Sequence, residues 1–333
     1  MQIKILNADS VEWRNFLKET HHLIVHTPEW KEFIEKTFTR TKAKYYAVTV
    51  KDKIRLILPT FHTSLSLTPN TSSPFLEYGG PVGSVSKQQA SELKKQLPKN
   101  IEIHHSLNNK LLRSNFFKVK KASRFFLPLK SEEEMWSHIH KFKRKAVRLA
   151  DKSSILVKDV PLSDIDKLYI LYLKSMQAFG TSPYSKDYFR NFYKYFVNNR
   201  LGKILGAYHK GKLVAVLVGF TVSNRIHINI SISNPKYLKF RPNDALHWEF
   251  IRYGCNNCFN EFDFGIVWEG RGQYAFKKKW NAELGDLDYF YLKPTKLSTP
   301  FYFKFKFFPT VWKLMPIHMT RILGQFFREV IVT

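Results

Sequence analysis

The stretch "EGRGQYAFKKKWNAE", residues 269–283, gathers the groups of this sequence best suited to chemistry. Lys277, Lys278 and Lys279 stand in a row between Phe276 and Trp280, shortly after the apolar run "FNEFDFGIVW". A solvated lysine patch has no use for flanking rings, and a buried strand has no use for three ammonium groups. The combination fits a loop leaving the end of a buried strand, where ligands settle on open α/β sheets. A second set lies upstream. "RIHINISISN" alternates Ile226, Ile228, Ile230 and Ile232 with His227, Asn229, Ser231 and Ser233. One face of such a strand is buried and the other offers small groups that hydrogen-bond a ligand.

A third set is cationic. Met135, Ile139, Phe142, Ala146 and Leu149 recur at helical spacing and predict one helix over 132–152 with those residues inward. Its other side carries Lys141, Arg144, Lys145, Arg148 and Lys152, a stripe of one sign. The acids Glu132 to Glu134 sit in the first turn, where they suit the helix dipole, and leave the later turns to bind an anion.

The whole chain leans the same way. Its 54 Lys and Arg against 27 Asp and Glu give a net charge of +27, a field that attracts nucleic acid, anionic lipid or phosphorylated substrates. With 44% hydrophobic residues, the chain can bury a core, and its 333 residues suit about two domains. "MQIKILNADSVEW" lacks the apolar core of a secretion signal, and no uncharged apolar run is long enough to span a bilayer. The expected address is cytoplasmic, extending to the inner face of the membrane. Cys255 and Cys258 form a lone CxxC without the further ligands zinc requires, so they read as free thiols, and no metal is expected.

These elements must be positioned by something, and the sequence suggests a duplication. "AVTVKDKIRLILPTF" from Ala47 and "GAYHKGKLVAVLVGF" from Gly206 align without a gap, Lys51 on Lys210 and Phe61 on Phe220. Each reads as strand, polar turn and apolar strand. Helical stretches precede both, "TPEWKEFIEKTF" and "SKDYFRNFYKYFVNN". In the first copy a turn at Gly79, Gly80 and Pro81, a helix "SKQQASELKKQL" and strands at "NIEIHHSL" and "ASRFFLPL" follow. In the second, Asn243 or Asp244 is expected to cap a helix "DALHWEFIRYG". The fold class is α/β, two tandem domains of mixed sheet flanked by helices, over 1–128 and 129–296. A basic aromatic tail, 297–333, mixes rings with cations in the manner of an anionic membrane surface. Pro316 and Gly324 weaken any long helix there.

"HTPEWKEF", "GGPVG", "WSHIHKFKRKAVRLADK", "NDALHWEFIRYG", "FDFG" and "GQYAFKKKW", in that order, resemble the FemAB-like transferases, the Fem peptidyltransferases and their BioF2-like acetyltransferase relatives. The resemblance runs from about Trp30 to Tyr291. It implies two tandem GNAT-type (N-acetyltransferase) domains. It also implies transfer of an amino acid from aminoacyl-tRNA to an amine of a peptidoglycan-type precursor at the inner membrane face. By the same resemblance Lys277 lies at the reaction centre, where a cation in a partly dry pocket stabilises the tetrahedral oxyanion. Phe276 and Trp280 would hold it. Tyr274, Arg271, Asn229, Ser231, Ser233 and Tyr184 would complete the substrate site. Lys141, Arg144, Lys145, Arg148, Lys152, Lys278 and Lys279 would meet the tRNA acceptor arm.

The sequence departs from the family at three places. Phe33 stands where a lysine binds nucleotide-linked precursors, His104 and His105 replace an acid, and "FGTSPYSKDYF" lacks an arginine. These changes concern the acceptor. Acyl-CoA is the alternative donor, but "NPKYLKFRPNDAL" has no glycine in the turn that cradles a pyrophosphate, and Pro242 removes an N–H donor. His227, His247 and Asp263 are the candidate general bases. A non-catalytic duplicate that binds an anionic polymer or a membrane is the remaining alternative.

Overall fold

The computed structural model describes residues 1–68, 70–268, 270, 272–294 and 307–330. The chain divides into two compact units. One comprises Met1–Lys121, Asp286–Lys304 and Phe326–Thr333, the other Ala122–Gly285 and Phe305–Gln325.

In the first unit the chain runs β1 (Gln2–Leu6), α1 (Val11–Lys18), α2 (Pro28–Thr37), β2 (Thr41–Val50), β3 (Lys53–Thr63), β4 (Asn70–Thr71), β5 (Val82–Gly83), α3 (Lys87–Gln96), β6 (Glu102–Ile103), α4 (Lys110–Asn115) and the start of β7 (Phe117–Pro128). "HTPEW" starts α2 as its chemistry dictates. Thr27 Oγ1 accepts from Trp30 N at 3.1 Å, and Pro28 fills the first turn, where a missing N–H costs nothing. Tyr46, Val48, Leu56 and Leu58 of the β2–β3 hairpin pack against Leu93 and Leu97 around α3. Gly79 and Gly80 do not turn the chain as expected. Neither lies in a turn or takes a positive φ, and a Cβ on either would lie under 3 Å from Ser73 or Ser106, so their role is close approach.

The second unit continues with α5 (Glu132–His138), α6 (Lys141–Lys152), β8 (Ile155–Asp159), α7 (Ile165–Phe179), α8 (Lys186–Phe192), β9 (Gly202–His209), β10 (Lys212–Val222), β11 (Arg225–Ser233), α9 (Pro242–Asn256), β12 (Glu261–Val267) and α10 (Gly272–Lys278). After β13 (Glu283–Tyr291) come α11 (Phe308–Leu314) and α12 (Ile317–Val330). The strand order in this unit is β7-β12-β11-β10-β9-β8, with β11 and β12 parallel and the other pairs antiparallel. Leu205, Ala215, Leu217, Ile226, Phe250, Phe262 and Trp280 form its core.

The two hairpins are alike in their turns. Lys51 and Asp52 have φ of 50° and 58°, and Lys210 and Gly211 have φ of 48° and 76°. Both pairs therefore make the two-residue turn whose twist matches the flanking strands.

The helix expected over 132–152 is two helices, broken at Ile139 and His140. Arg144 Nη1 donates to the carbonyls of Trp136, Ser137 and Ile139, at 3.3, 2.9 and 2.7 Å, satisfying oxygens that the end of α5 leaves open. The restart rotates the inward face of α6. Lys143, Ala146 and Ala150 are buried, whereas Phe142 and Leu149, expected inside, are exposed. Neither Asn243 nor Asp244 caps α9. Arg241, with φ of 61°, precedes Pro242 at the first position and shifts the start.

Candidate active site

β11 and β12 pair only from Arg225↔Glu261 to His227↔Asp263, yet β11 continues to Ser233 and β12 to Val267. The strands therefore part, and the site is built where they do. The last paired rungs are locked by charge. Asp263, fully buried, accepts from Arg225 Nη2, from Arg124 Nη1 at 2.8 Å and from Gly265 N at 2.6 Å. A carboxylate so committed to cations and a backbone N–H serves the architecture rather than proton transfer. Gly265, with φ of 74°, then carries β12 through a bulge against β7.

The bulge exposes carbonyls, and α10 answers them. The segment expected as a loop is a seven-residue helix, and Lys277 points back from it, 8% exposed. Its Nζ donates to Gly265 O at 3.1 Å and to Ile266 O at 2.8 Å. The ammonium is thereby fixed on the part of β12 that has left β11. Phe276 and Trp280 do not hold Lys277 as expected. Their rings take a different cation, Lys143 of α6, whose Nζ lies 3.3 Å from the Phe276 ring centroid and 4.9 Å from that of Trp280. Lys143 is 1% exposed and donates to Asp244 Oδ1 at 2.6 Å. Burial pulls its ammonium down to about 8, although the Asp244 carboxylate works against that shift.

His247 lies within this group. Its ring is near those of Phe264, Phe276 and Trp280, with centroids 5.7, 5.1 and 5.9 Å away. Nδ1 donates to Asn243 O at 2.7 Å, which leaves Nε2 with its lone pair. Burial pushes the imidazole down to about 3, and the fields of Lys143 and Lys277 add to the shift. His247 is a neutral acceptor at physiological pH. Asn243 also donates from Nδ2 to Ser233 Oγ at 3.2 Å, connecting this group to the β11 edge.

Along that edge Ser231 is exposed and Asn229 is half-buried, accepting from Tyr188 OH at 2.7 Å. The Tyr184 ring stacks on Tyr188 at 4.2 Å and is itself buried, so its place is in an aromatic wall. Tyr274 packs edge-on to Phe125 at 5.0 Å. Lys141, Lys145, Arg148, Lys152, Lys278 and Lys279 are all exposed, and Arg148 lies 5.5 Å from the Trp136 ring centroid. Arg144 departs from the stripe, its guanidinium being committed to the α5 carbonyls. Arg271 lies outside the described residues.

The start of α9 does not form a phosphate cradle. Pro242 has no N–H, and the N–H groups of Asp244 and Ala245 both bond to Arg241 O. The carboxylate of Asp244 stands in the same first turn, where it opposes an anion.

Sequence reading missed Lys143, Asp244 and Tyr188 in these roles. One signal was available for Lys143: it shares a helix face with Ala146 and Ala150, small residues that let a long stem lie against a neighbour. Cys255 and Cys258 are free thiols near the end of α9. Among the described residues, no group of three or more His, Cys, Asp or Glu side chains is placed to hold a metal ion.

The residues that mark the acceptor departures sit in the first unit. Phe33 is fully buried. His104 is buried too, 2.8 Å from Thr71 Oγ1 and stacked on Tyr289 at 4.1 Å. His105 Nδ1 accepts from Asp288 N at 3.1 Å.

Residues 137–278 match the family model described as an acetyltransferase (GNAT) domain. No curated protein matches the sequence. Among solved structures, the chain is similar to FemX, with a TM-score of 0.69 at 14% identity, covering 88% of this chain and 98% of that one. L-PGS from Bacillus licheniformis gives a TM-score of 0.57 at 12% identity, over 97% and 99% of the two chains. A tandem GNAT protein from the clavulanic acid biosynthesis pathway gives 0.53 at 11%, over 89% and 99%. The fold is that of tandem GNAT proteins, and the stretch 137–278 in the second unit matches a GNAT acetyltransferase domain.

Proposed function

We propose that the chain is an aminoacyltransferase that forms an amide on an amine of a cell-envelope precursor, with aminoacyl-tRNA as donor, at the inner face of the membrane. The observation that carries this reading is the buried ammonium of Lys277, pinned by two carbonyls where β11 and β12 separate. Attack of an amine on an ester builds negative charge on the carbonyl oxygen. A cation already fixed in a water-poor place stabilises that charge without reorganising. Ser231, Ser233 and Asn229 on the neighbouring edge supply groups to orient the donor or the acceptor. Lys141, Lys145, Arg148, Lys152, Lys278 and Lys279 supply the charge that an acceptor arm needs.

The names FemX and L-PGS, the second a lysyl-phosphatidylglycerol synthetase, favour aminoacyl transfer to envelope molecules. The occupied first turn of α9 disfavours acyl-CoA held by its pyrophosphate. In this reading residues 1–128 serve the acceptor, 129–296 carry the reaction centre, and 297–333 face the membrane.

The test is transfer from a pool of charged tRNA to envelope precursors extracted from the source cells, run beside an acyl-CoA arm. Lys277→Ala is expected to lower turnover by about 100-fold or more with the melting midpoint retained. Full turnover in that variant would remove Lys277 from the reaction centre, and no turnover of the unaltered chain with either donor would assign it to the non-catalytic alternative. Turnover with acyl-CoA alone would replace the donor.

A further inference from the structure

The tail helices α11 and α12 place large apolar side chains on the outside. In α11 only Trp312 points fully inward, while Phe307 just before the helix and Val311 and Leu314 within it, at spacings of four and three, are 83%, 57% and 80% exposed. In α12 Met319 and Ile322 are exposed as well, Ile322 at 70%. Such a row is costly in water and marks an interaction surface. The helices are seated, not loose. Gln177 Nε2 donates to Met315 O at 2.6 Å, and Gly180 and Gly324 pack so tightly on Pro309 and Pro183 that a Cβ would come within 2.7 Å of either.

Charge identifies the partner. Lys313, His318 and Arg321 are exposed beside the apolar row, and residues 307–325 contain no Asp or Glu. A second copy of this chain would bring cations against cations with no acid to answer them. An anionic bilayer meets both features, taking the apolar side chains below its headgroups and the cations at its phosphates.

We propose that α11 and the first turns of α12 form a docking surface for an anionic lipid bilayer. The proposal deepens the membrane part of the functional reading and does not depend on its chemistry.

The full chain is sedimented with vesicles of phosphatidylglycerol and phosphatidylcholine in equal parts, and with phosphatidylcholine alone. Binding to the mixed vesicles is expected. Val311→Ser and Leu314→Ser should each lower the partition coefficient by about tenfold. Lys313→Glu and Arg321→Glu should each lower it by about fivefold or more on mixed vesicles and leave phosphatidylcholine unchanged. All four side chains are exposed, so thermal unfolding should match the wild type and report that the fold survives. Vesicle binding unaffected by the serine variants would overturn the proposal. So would sedimentation velocity showing that the row instead holds two copies together. Lys277→Ala should bind vesicles normally, and the serine variants should still transfer to a soluble acceptor, so either reading can fail alone.

Discussion

Two buried ammonium groups in the second unit, Lys143 and Lys277, flank one neutral imidazole, and their partners differ in kind. Lys143 has a carboxylate at 2.6 Å and two aromatic faces. Two backbone carbonyls fix Lys277. A carboxylate answers the Lys143 charge directly, and carbonyl dipoles hold the Lys277 ammonium at the bulge of β12. The difference teaches that burial alone does not give a lysine its role: in the proposed reaction Lys143 belongs to the scaffold and Lys277 to the chemistry. Lys143 ties α6 to α9 and carries the ring of Phe276, the residue before Lys277. One lysine positions the element from which, in the proposed reaction, the other acts.

The comparison breaks most visibly at Lys143. Lys143→Met removes a partner from the buried Asp244 and should destabilise the protein by about 3–5 kcal/mol in chemical denaturation. Lys143→Met with Asp244→Leu should recover much of that, because no buried charge is left over. In contrast, Lys277→Ala should change activity far more than stability, and equal losses in both variants would erase the difference between the two lysines.

Titration sharpens the contrast. The Lys143 ammonium lies at about 8 in the folded protein, down from 10.5, so between those values the native state binds fewer protons than the unfolded chain. Unfolding free energy should therefore climb with pH across that window, by up to about 3 kcal/mol relative to Lys143→Met. Below pH 8 the burial cost is present in full. A flat difference curve from pH 8 to 10.5 would show that Lys143 is not the group responsible.

The exposed cations should give smaller effects. Replacing Lys145, Arg148 and Lys152 together with Gln should weaken tRNA binding by about tenfold at low salt and reduce the steepness of its salt dependence, with the fold unchanged. Ser231→Ala, on the exposed edge of β11, should shift KM a few-fold at most and leave turnover alone. A fall in turnover instead would bring that edge into the reaction itself.

What the sequence disclosed and what it hid follow the range of the interactions. The hairpins at Lys51–Asp52 and Lys210–Gly211 were legible because a two-residue turn between alternating strands is a local matter. β11 was legible for the same reason. The break at Ile139 was not, since it depends on a guanidinium reaching back over three carbonyls. Lys143 was passed over because its carboxylate lies 101 residues away along the chain, and a lysine one step from Arg144 looks like another member of a charged stripe. Lys277 stood out in sequence for its neighbours Phe276 and Trp280, yet those rings face Lys143. The aromatics signalled a dry region correctly and assigned it to the wrong ammonium.

The missing side chain at Gly324 has a consequence for how this unit would work at an interface. With Pro183 Cγ only 2.5 Å from where a β-carbon would stand, the tail is clasped onto the segment joining α7 and α8. Any lipid that grips the tail consequently grips the scaffold of the same sheet, and the mouth between β11 and β12 acquires a set tilt and height above the headgroups. On the proposed reading, Gly324→Ala would loosen that clasp and let the mouth wander relative to the membrane while both lysines remain in place.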